Sequence, residues 1–387
     1  MTSGRNSLIF IALAAISLCG GKNARATTSI DLKGPFLLEA TYVGDIYGNF
    51  AGGIQTGAGY LGMANLKIGF DTEKAGWWNG GEFYVNGAST HGKSPSENFV
   101  GDFQVVSNID AGNLVYLHEL WFRQSFRKLE LTVGLQDMNT QFAATENGGY
   151  YLNSSFGVPP VISGNVPAPI FPLTGLGISA IYSISDRVKW LAAMFDGAPT
   201  DFENNPYNLY WDWDRDDGSF LITEVQLSTT IFNQAGTCKG GAYFHTGSSE
   251  EDGLGMKSQT VDKSYGIYVI ADQDLWKGSQ QRRSSFFTQL AWSPGELSNH
   301  NFYVGCGVNY YGLLGDAHEN TLGLAVAYAG FHRGLHKHES VIESFLNYRA
   351  NKNFSLQPDF QFVINPAGTD AKLKDAFIGF LRVKIEF

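Results

Sequence analysis

The segment FIGFLRVKIEF, residues 377–387, constrains the fold more than any other part of the chain. Phe377, Gly379, Leu381, Val383, Ile385 and Phe387 form one apolar row, while the opposite row begins with Ile378 and Phe380 and ends with Arg382, Lys384 and Glu386. A period of two residues specifies a β-strand with two different faces. Such a strand has two natural settings. One is the edge of a soluble sandwich. The other is the closing strand of a membrane barrel, with lipid on one side and a wet lumen on the other.

Similar alternation recurs along the chain. Sixteen strand-like segments stand between 36–47 and 375–387. In LKIGFD, Leu66, Ile68 and Phe70 oppose Lys67, Gly69 and Asp71. In FSLQPDFQFVIN, Phe354, Leu356, Phe360, Phe362 and Ile364 oppose Ser355, Gln357, Asp359, Gln361 and Asn365. The connectors sort by parity. Odd ones are long, among them 88–113, 138–174, 197–216 and 247–262, whereas even ones such as 127–128 and 350–352 are short. Soluble sandwiches do not sort their loops this way. Outer-membrane barrels do, with short periplasmic turns and long external loops. The expected fold is therefore all-β: a sixteen-stranded antiparallel transmembrane β-barrel, with Phe387 at the periplasmic aromatic girdle.

The first 26 residues are read as a cleaved signal peptide. Arg5 gives the positive start, Ser7–Leu18 is an apolar run too short to span a bilayer, and Ala24-Arg25-Ala26 fits a small-x-small cleavage site. A lipoprotein anchored at Cys19 is disfavoured because Leu18 stands where a small residue is wanted. The barrel domain is then 27–387. Removing Arg5, Lys22 and Arg25 leaves 27 − 3 = 24 basic against 37 acidic side chains, a balance of −13. That balance gives no footprint for nucleic acid. No apolar stretch after the signal is long enough for a membrane helix. The mean hydropathy of −0.13 does not separate a soluble β protein from a barrel, because barrel strands are only half apolar. Cys238 and Cys306 remain after the signal, and in an oxidising compartment they could form a disulfide. Parity places both on outer faces, so both are expected free.

Several stretches carry a family resemblance. NFVGDFQVVSNIDAGN (98–113), LHELWFRQSF (117–126), LTVGLQDMNTQF (131–142), YYLNSSFG (150–157) and MFDGAPTD (194–201) resemble the carbohydrate-selective porins of the OprB family. YVGDIYGNFAGG (42–53) and DTEKAGWWNGGEF (71–83) add to it. The resemblance implies a bacterial outer-membrane channel through which mono- or small oligosaccharides diffuse into the periplasm, and a possible homotrimer. The final Phe387 resembles a signal to the barrel assembly machinery.

In LHELWFRQSF, Leu120, Phe122 and Phe126 share one face, and Glu119, Trp121, Arg123 and Ser125 the other. A carboxylate, an aromatic plane and a guanidinium suit a neutral sugar. Hydroxyls take charge-assisted hydrogen bonds, and the C–H face of the ring rests on a flat apolar surface. Glu119, Trp121 and Arg123 are therefore the expected constriction ladder. Lys67, Glu82, Tyr84, Asn86 and Glu130 project inward by the same parity. Asp102, Asp137, Asn139 and Glu146 belong to the two long loops, placed to fold in. Arg382 is expected near the periplasmic mouth. YWDWDRDDG (210–218), SSEEDG (248–253) and the His332, His336 and His338 cluster read as outer-loop chemistry without a metal-ligand spacing. No GxSxG, Ser/His/Asp set or phosphate loop appears, so no catalytic residue, metal or cofactor is expected. Two alternatives stay open: a general or anion-selective porin, and an outer-membrane barrel hydrolase.

Overall fold

The computed structural model describes residues 30–31, 34–213, 218–247, 249–250, 260–261, 263–278, 282–296, 298, 300–314, 319–332 and 335–387. The expected signal peptide lies outside them, as do residues 214–217 of YWDWDRDDG and most of SSEEDG. Sixteen strands make the wall: β1 (Phe36–Gly53), β2 (Gly57–Asp71), β3 (Gly81–Gly92), β4 (Leu114–Ser125), β5 (Leu129–Gln136), β6 (Gly175–Ser183), β7 (Val188–Asp196), β8 (Ser219–Ile231), β9 (Gln234–His245), β10 (Ser264–Lys277), β11 (Arg283–Trp292), β12 (His300–Tyr311), β13 (Asn320–Phe331), β14 (His338–Asn351), β15 (Phe354–Ile364) and β16 (Lys374–Glu386). Each pairs antiparallel with the next, and β16 returns to β1 and closes the sheet. The short Ile30–Asp31 strand adds to the same sheet through Leu37 and Leu38. The expected sixteen-stranded closed barrel is therefore the fold of the chain.

Closure reaches the last residue. Phe387 N–H donates to the Ala40 carbonyl at 2.8 Å, and Ala40 N–H donates back to the Phe387 carbonyl at 3.1 Å. In lipid, an unpaired backbone group costs several kcal/mol, so a spanning sheet leaves no edge. The Phe387 side chain stays half exposed on the outside. At the same end, Trp77, Trp78, Phe126 and Phe232 are exposed around the rim, which gives the girdle its aromatics.

The two faces differ as the alternation requires. On β13, Leu322, Leu324, Val326 and Tyr328 are exposed, while Ala325, Ala327 and Ala329 are buried. An apolar core nevertheless exists, and it lies inside the barrel. Phe142, Tyr151, Leu152, Phe156, Val161 and Ile162 of segment 137–174 pack with Phe220, Tyr243, Tyr268, Phe287, Tyr303 and Phe345 of the wall. A long loop entering the lumen buries its own apolar residues against the wall's inner rings.

At one end the connectors 126–128, 184–187, 232–233 and 352–353 are tight; at the other, 93–113, 137–174, 197–218 and 246–263 are long. The parity rule fails at the first connector. β1 continues to Gly53 and leaves only 54–56 before β2. Gly53, at φ +66°, makes this turn possible. A Cβ there would meet the Phe99 carbonyl oxygen at 2.4 Å. That carbonyl instead accepts from Ile54 N–H at 2.8 Å, which ties the turn to the loop 93–113. The later outer connectors 293–299, 332–337 and 365–373 are also short.

Both remaining cysteines are free. Cys238 lies between Thr237 and Lys239, which face the lumen, and Cys306 between Gly305 and Gly307, so both side chains point to lipid. In the assembled barrel, a membrane-impermeant maleimide is expected to label neither thiol, and both should label after denaturation. A mass matching a Cys238–Cys306 bridge would contradict the register of β9 and β12.

Candidate functional site

The barrel has a dry wall and a wet wall. The dry one runs over β14, β15, β16 and β1, where Glu339, Glu343, Asp359, Gln361 and Asp45 are all 0% exposed. The wet one is on β2–β4, where Lys67, Glu82 and Arg123 side chains are 28%, 36% and 24% exposed. Both sets belong to lumen-facing rows. The two long loops account for the difference, because they are bound to the first wall and to β8 and β10 and leave β2–β4 partly open.

The binding is specific. Glu343 accepts the amide N–H of Leu152 at 2.5 Å and that of Asn153 at 3.1 Å. Glu339 accepts Phe103 N–H at 2.8 Å, Gln104 N–H at 2.9 Å and Ala367 N–H at 2.7 Å. Asp272 accepts Thr145 Oγ1–H at 2.7 Å and Asn147 N–H at 3.0 Å. Glu224 accepts Ala143 N–H at 2.8 Å. Gln361 Nε2 donates to the Val106 carbonyl at 2.8 Å. Ser107 Oγ donates to Asp45 Oδ2 at 2.7 Å, and Arg382 forks onto Asp45 at 2.7 and 2.8 Å. A hydrogen bond to a charged group contributes about 1.5–3 kcal/mol, and a buried amide left unpaired costs a similar amount. These contacts therefore hold the loops in one place.

Arg382 is accordingly not at an open mouth. It is half-buried against the fully buried Asp45, with Ser107 of the loop 3.4 Å from its Nη2. Sequence placed it near the periplasmic mouth, and the loop 93–113 reaches it there through Ser107.

On the wet wall, register brings the expected residues together. β3 and β4 place Glu82 opposite Arg123, Tyr84 opposite Trp121 and Asn86 opposite Glu119. Arg123 Nη1 is 3.6 Å from Glu82 Oε2, and its Nε donates to Thr132 Oγ1 at 3.2 Å. The guanidinium lies 4.5 Å over the Trp121 ring. Trp121 also stacks on Tyr84, with centroids 4.6 Å apart and planes at 19°, and its indole N–H donates to Glu119 at 3.2 Å. Lys67 pairs with Glu39 at 3.7 Å on the adjoining strands. The result is a continuous band of alternating charge and aromatic surface.

The loop residues named from sequence divide. Asp137 stands at the root of the loop: its amide faces Glu119 Oε1 at 3.5 Å, its Oδ1 accepts Asn139 N–H at 2.8 Å, and its Oδ2 is 3.5 Å from His118 Nε2. Asn139 donates from Nδ2 to the Phe142 carbonyl at 3.2 Å. Both shape the turn beside the band. Asp102 is elsewhere, buried beside Glu339, and among the described residues neither of its oxygens makes a hydrogen bond of good geometry. Burial, then the charge of Glu339, pushes the Asp102 carboxyl up to about 8. Sequence reasoning missed Glu339, Glu343, Asp272 and Glu224. Their only signal is an acid on a lumen row, which Glu82 shares.

Every arginine that faces the lumen among the described residues is ion-paired: Arg123 with Glu82, Arg283 with Asp274 at 3.1 Å, Arg349 with Glu386 at 3.0 Å, and Arg382 with Asp45. Among the described residues no group of three His, Cys, Asp or Glu could hold a metal ion. His336 Nε2–H donates to the Thr369 carbonyl at 3.1 Å, and His338 stacks on Tyr328. In the outer loop after β7, Tyr210 O–H donates to Asp212 at 2.9 Å and Trp211 N–H to the Asn208 carbonyl at 3.0 Å.

Comparison with known proteins agrees with this architecture. The model of the carbohydrate-selective porin family OprB matches residues 55–387. The high-pH structure of Pseudomonas putida OprB is similar at TM-score 0.82 and 17% identity, covering 92% of this chain and 95% of that one. The low-pH structure of the same protein gives TM-score 0.61 at 16% identity, with 92% and 94% covered. A loop-deletion variant of OmpT from Vibrio cholerae gives 0.52 at 9% identity, with 91% and 100% covered. None of the curated proteins compared is a match.

Asp102 makes a pH-dependent prediction. Its folded value lies above the ordinary aspartate value of 3.8, so the folded loop favours the neutral form. Its contribution is present at low pH and is lost as pH rises toward about 8. Thermal melting of wild type and Asp102→Asn should therefore coincide near pH 4 and separate above it, with the variant the more stable. Parallel curves across that range would contradict the placement of this carboxyl.

Proposed function

Because the chain belongs to the carbohydrate-selective porin family OprB, and is thus an outer-membrane porin for sugars, we propose that its selectivity resides in the band of Glu119, Trp121, Arg123, Glu82 and Lys67 on the wet wall. The observation that carries this is the state of the charges. Each lumenal arginine already has a carboxylate partner, so the channel presents paired dipoles to a solute and not a free cationic ring. An anion channel needs the latter. A neutral sugar needs donors and acceptors side by side, which Arg123 and Glu82 supply at 3.6 Å. Trp121 has its indole N–H on Glu119 and its ring against Tyr84 and Arg123, so it serves chiefly to hold the two charged groups in place. Sugars then pass by diffusion, without catalysis. Asp137 and Asn139 shape the loop edge facing this band. Assembly into a homotrimer belongs to the same reading as an expectation from the family.

Replacing Arg123 by Ala should weaken sugar block of ion current about tenfold or more. A charged hydrogen bond of about 1.5–3 kcal/mol is lost, and about 1.4 kcal/mol is one decade. Arg349→Ala, at the turn end and paired with Glu386, is the control and should leave block unchanged. Equal effects of the two substitutions would move selectivity away from β4.

Phe387 supports a second expectation, delivery through the barrel assembly machinery. Removing it deletes two backbone hydrogen bonds of the closing seam. The truncated chain should accumulate unassembled in the periplasm. Heat-modifiable migration and surface exposure equal to wild type would count against that role.

A further inference from the structure

Glu339 and Glu343 share the lumen-facing row of β14. They lie four residues apart, about 13 Å along the strand at ~3.3 Å per residue. Each grips a different loop in the same way. The Glu343 carboxylate receives two consecutive amides, Leu152 and Asn153, from segment 137–174. The Glu339 carboxylate receives two consecutive amides, Phe103 and Gln104, from segment 93–113. A carboxylate is a fork of two acceptors with no donor, and successive backbone N–H groups present a matching pair of donors. Glutamine does not reproduce the fit. It offers one acceptor and turns an NH2 against the second amide. Both glutamates are fully buried on β14, which stands five strands round the closed sheet from β3 and six from β4.

We propose that Glu339 and Glu343 are positioning residues for sugar selectivity. By fixing both loops on one strand, they set the distance between the loops and the wet wall, and so the width of the path. This rests on the porin reading above. Each loop keeps a separate attachment inside the barrel, the apolar packing of Phe142, Phe156 and Val161 for 137–174 and of Val100, Val106 and Ile109 for 93–113. Loss of one clamp therefore leaves the loop inside the lumen but free to shift, which distinguishes positioning from folding.

The test compares wild type, Glu343→Gln, Glu339→Gln and Glu343→Asp in liposome swelling with a monosaccharide and a disaccharide, with heat-modifiable migration as the measure of assembly. Asp274→Asn removes a lumenal carboxylate that holds Arg283 and receives no loop amide. The Gln variants should assemble as wild type, while the disaccharide rate relative to the monosaccharide rate rises about tenfold, the change in loop population expected for one charged hydrogen bond. Asp274→Asn should leave that ratio alone. An unchanged ratio in assembled Gln variants, or an equal rise in Asp274→Asn, overturns the proposal. If the Gln variants fail to assemble, Glu343→Asp decides. It keeps the fork but draws the loop back by one methylene, so an unchanged ratio there also overturns the proposal. Wild-type protein that passes neither sugar would instead refute the porin reading.

Discussion

A membrane sheet cannot leave backbone N–H and C=O groups unpaired in lipid, and the rest of this structure follows from that requirement. It forces β16 onto β1 and draws Phe387 into hydrogen bonds with Ala40. It also turns the apolar rows of all sixteen strands outward. With the outside committed to lipid, an apolar core can form only inside the barrel. The loop 137–174 supplies it, with Phe142, Phe156 and Val161 packed on Phe220, Phe287 and Tyr303. The narrowed channel is thus a consequence of how the barrel interior is packed.

That packing divides the lumen chemically. Amides of an inserted loop carry donors into a dry place, and buried carboxylates on the wall meet them. Glu343, Glu339, Asp272 and Glu224 all serve this way. The adjoining β2–β4 wall stays partly open. Glu119 is buried there, but Arg123, Glu82 and Lys67 stay partly solvated, and they pair across strands as Arg123 with Glu82 and Lys67 with Glu39. Paired charges offer donors and acceptors to an uncharged solute without the strong net field that would trap an ion.

Alternation, together with the parity of the loops, made the barrel legible. Leu322, Leu324 and Val326 against Ala325 and Ala327 is a pattern that only a two-faced strand explains. The facing of Glu119, Trp121, Arg123, Glu82 and Lys67 was legible for the same reason. Period two does not say which lumen-facing residue a loop will cover. Glu343 and Glu82 have the same sequence signature, yet one is sealed beneath Leu152 and the other remains wet. Arg382 and Arg123 differ in the same way. The covering depends on contacts between residues such as Ser107 and Asp45, far apart in the chain, and no local spacing encodes them. The first turn was missed for a more local reason: Gly52 and Gly53 extend β1 and let it reverse within 54–56.

The most direct test is a crystal structure of the detergent-solubilised protein soaked with a monosaccharide. The account predicts sugar density between the β2–β4 wall and the loop 137–174, with hydroxyls within hydrogen-bond distance of Arg123 and Glu82. Density on the β14–β16 side, with Leu152 and Asn153 displaced from Glu343, would contradict it.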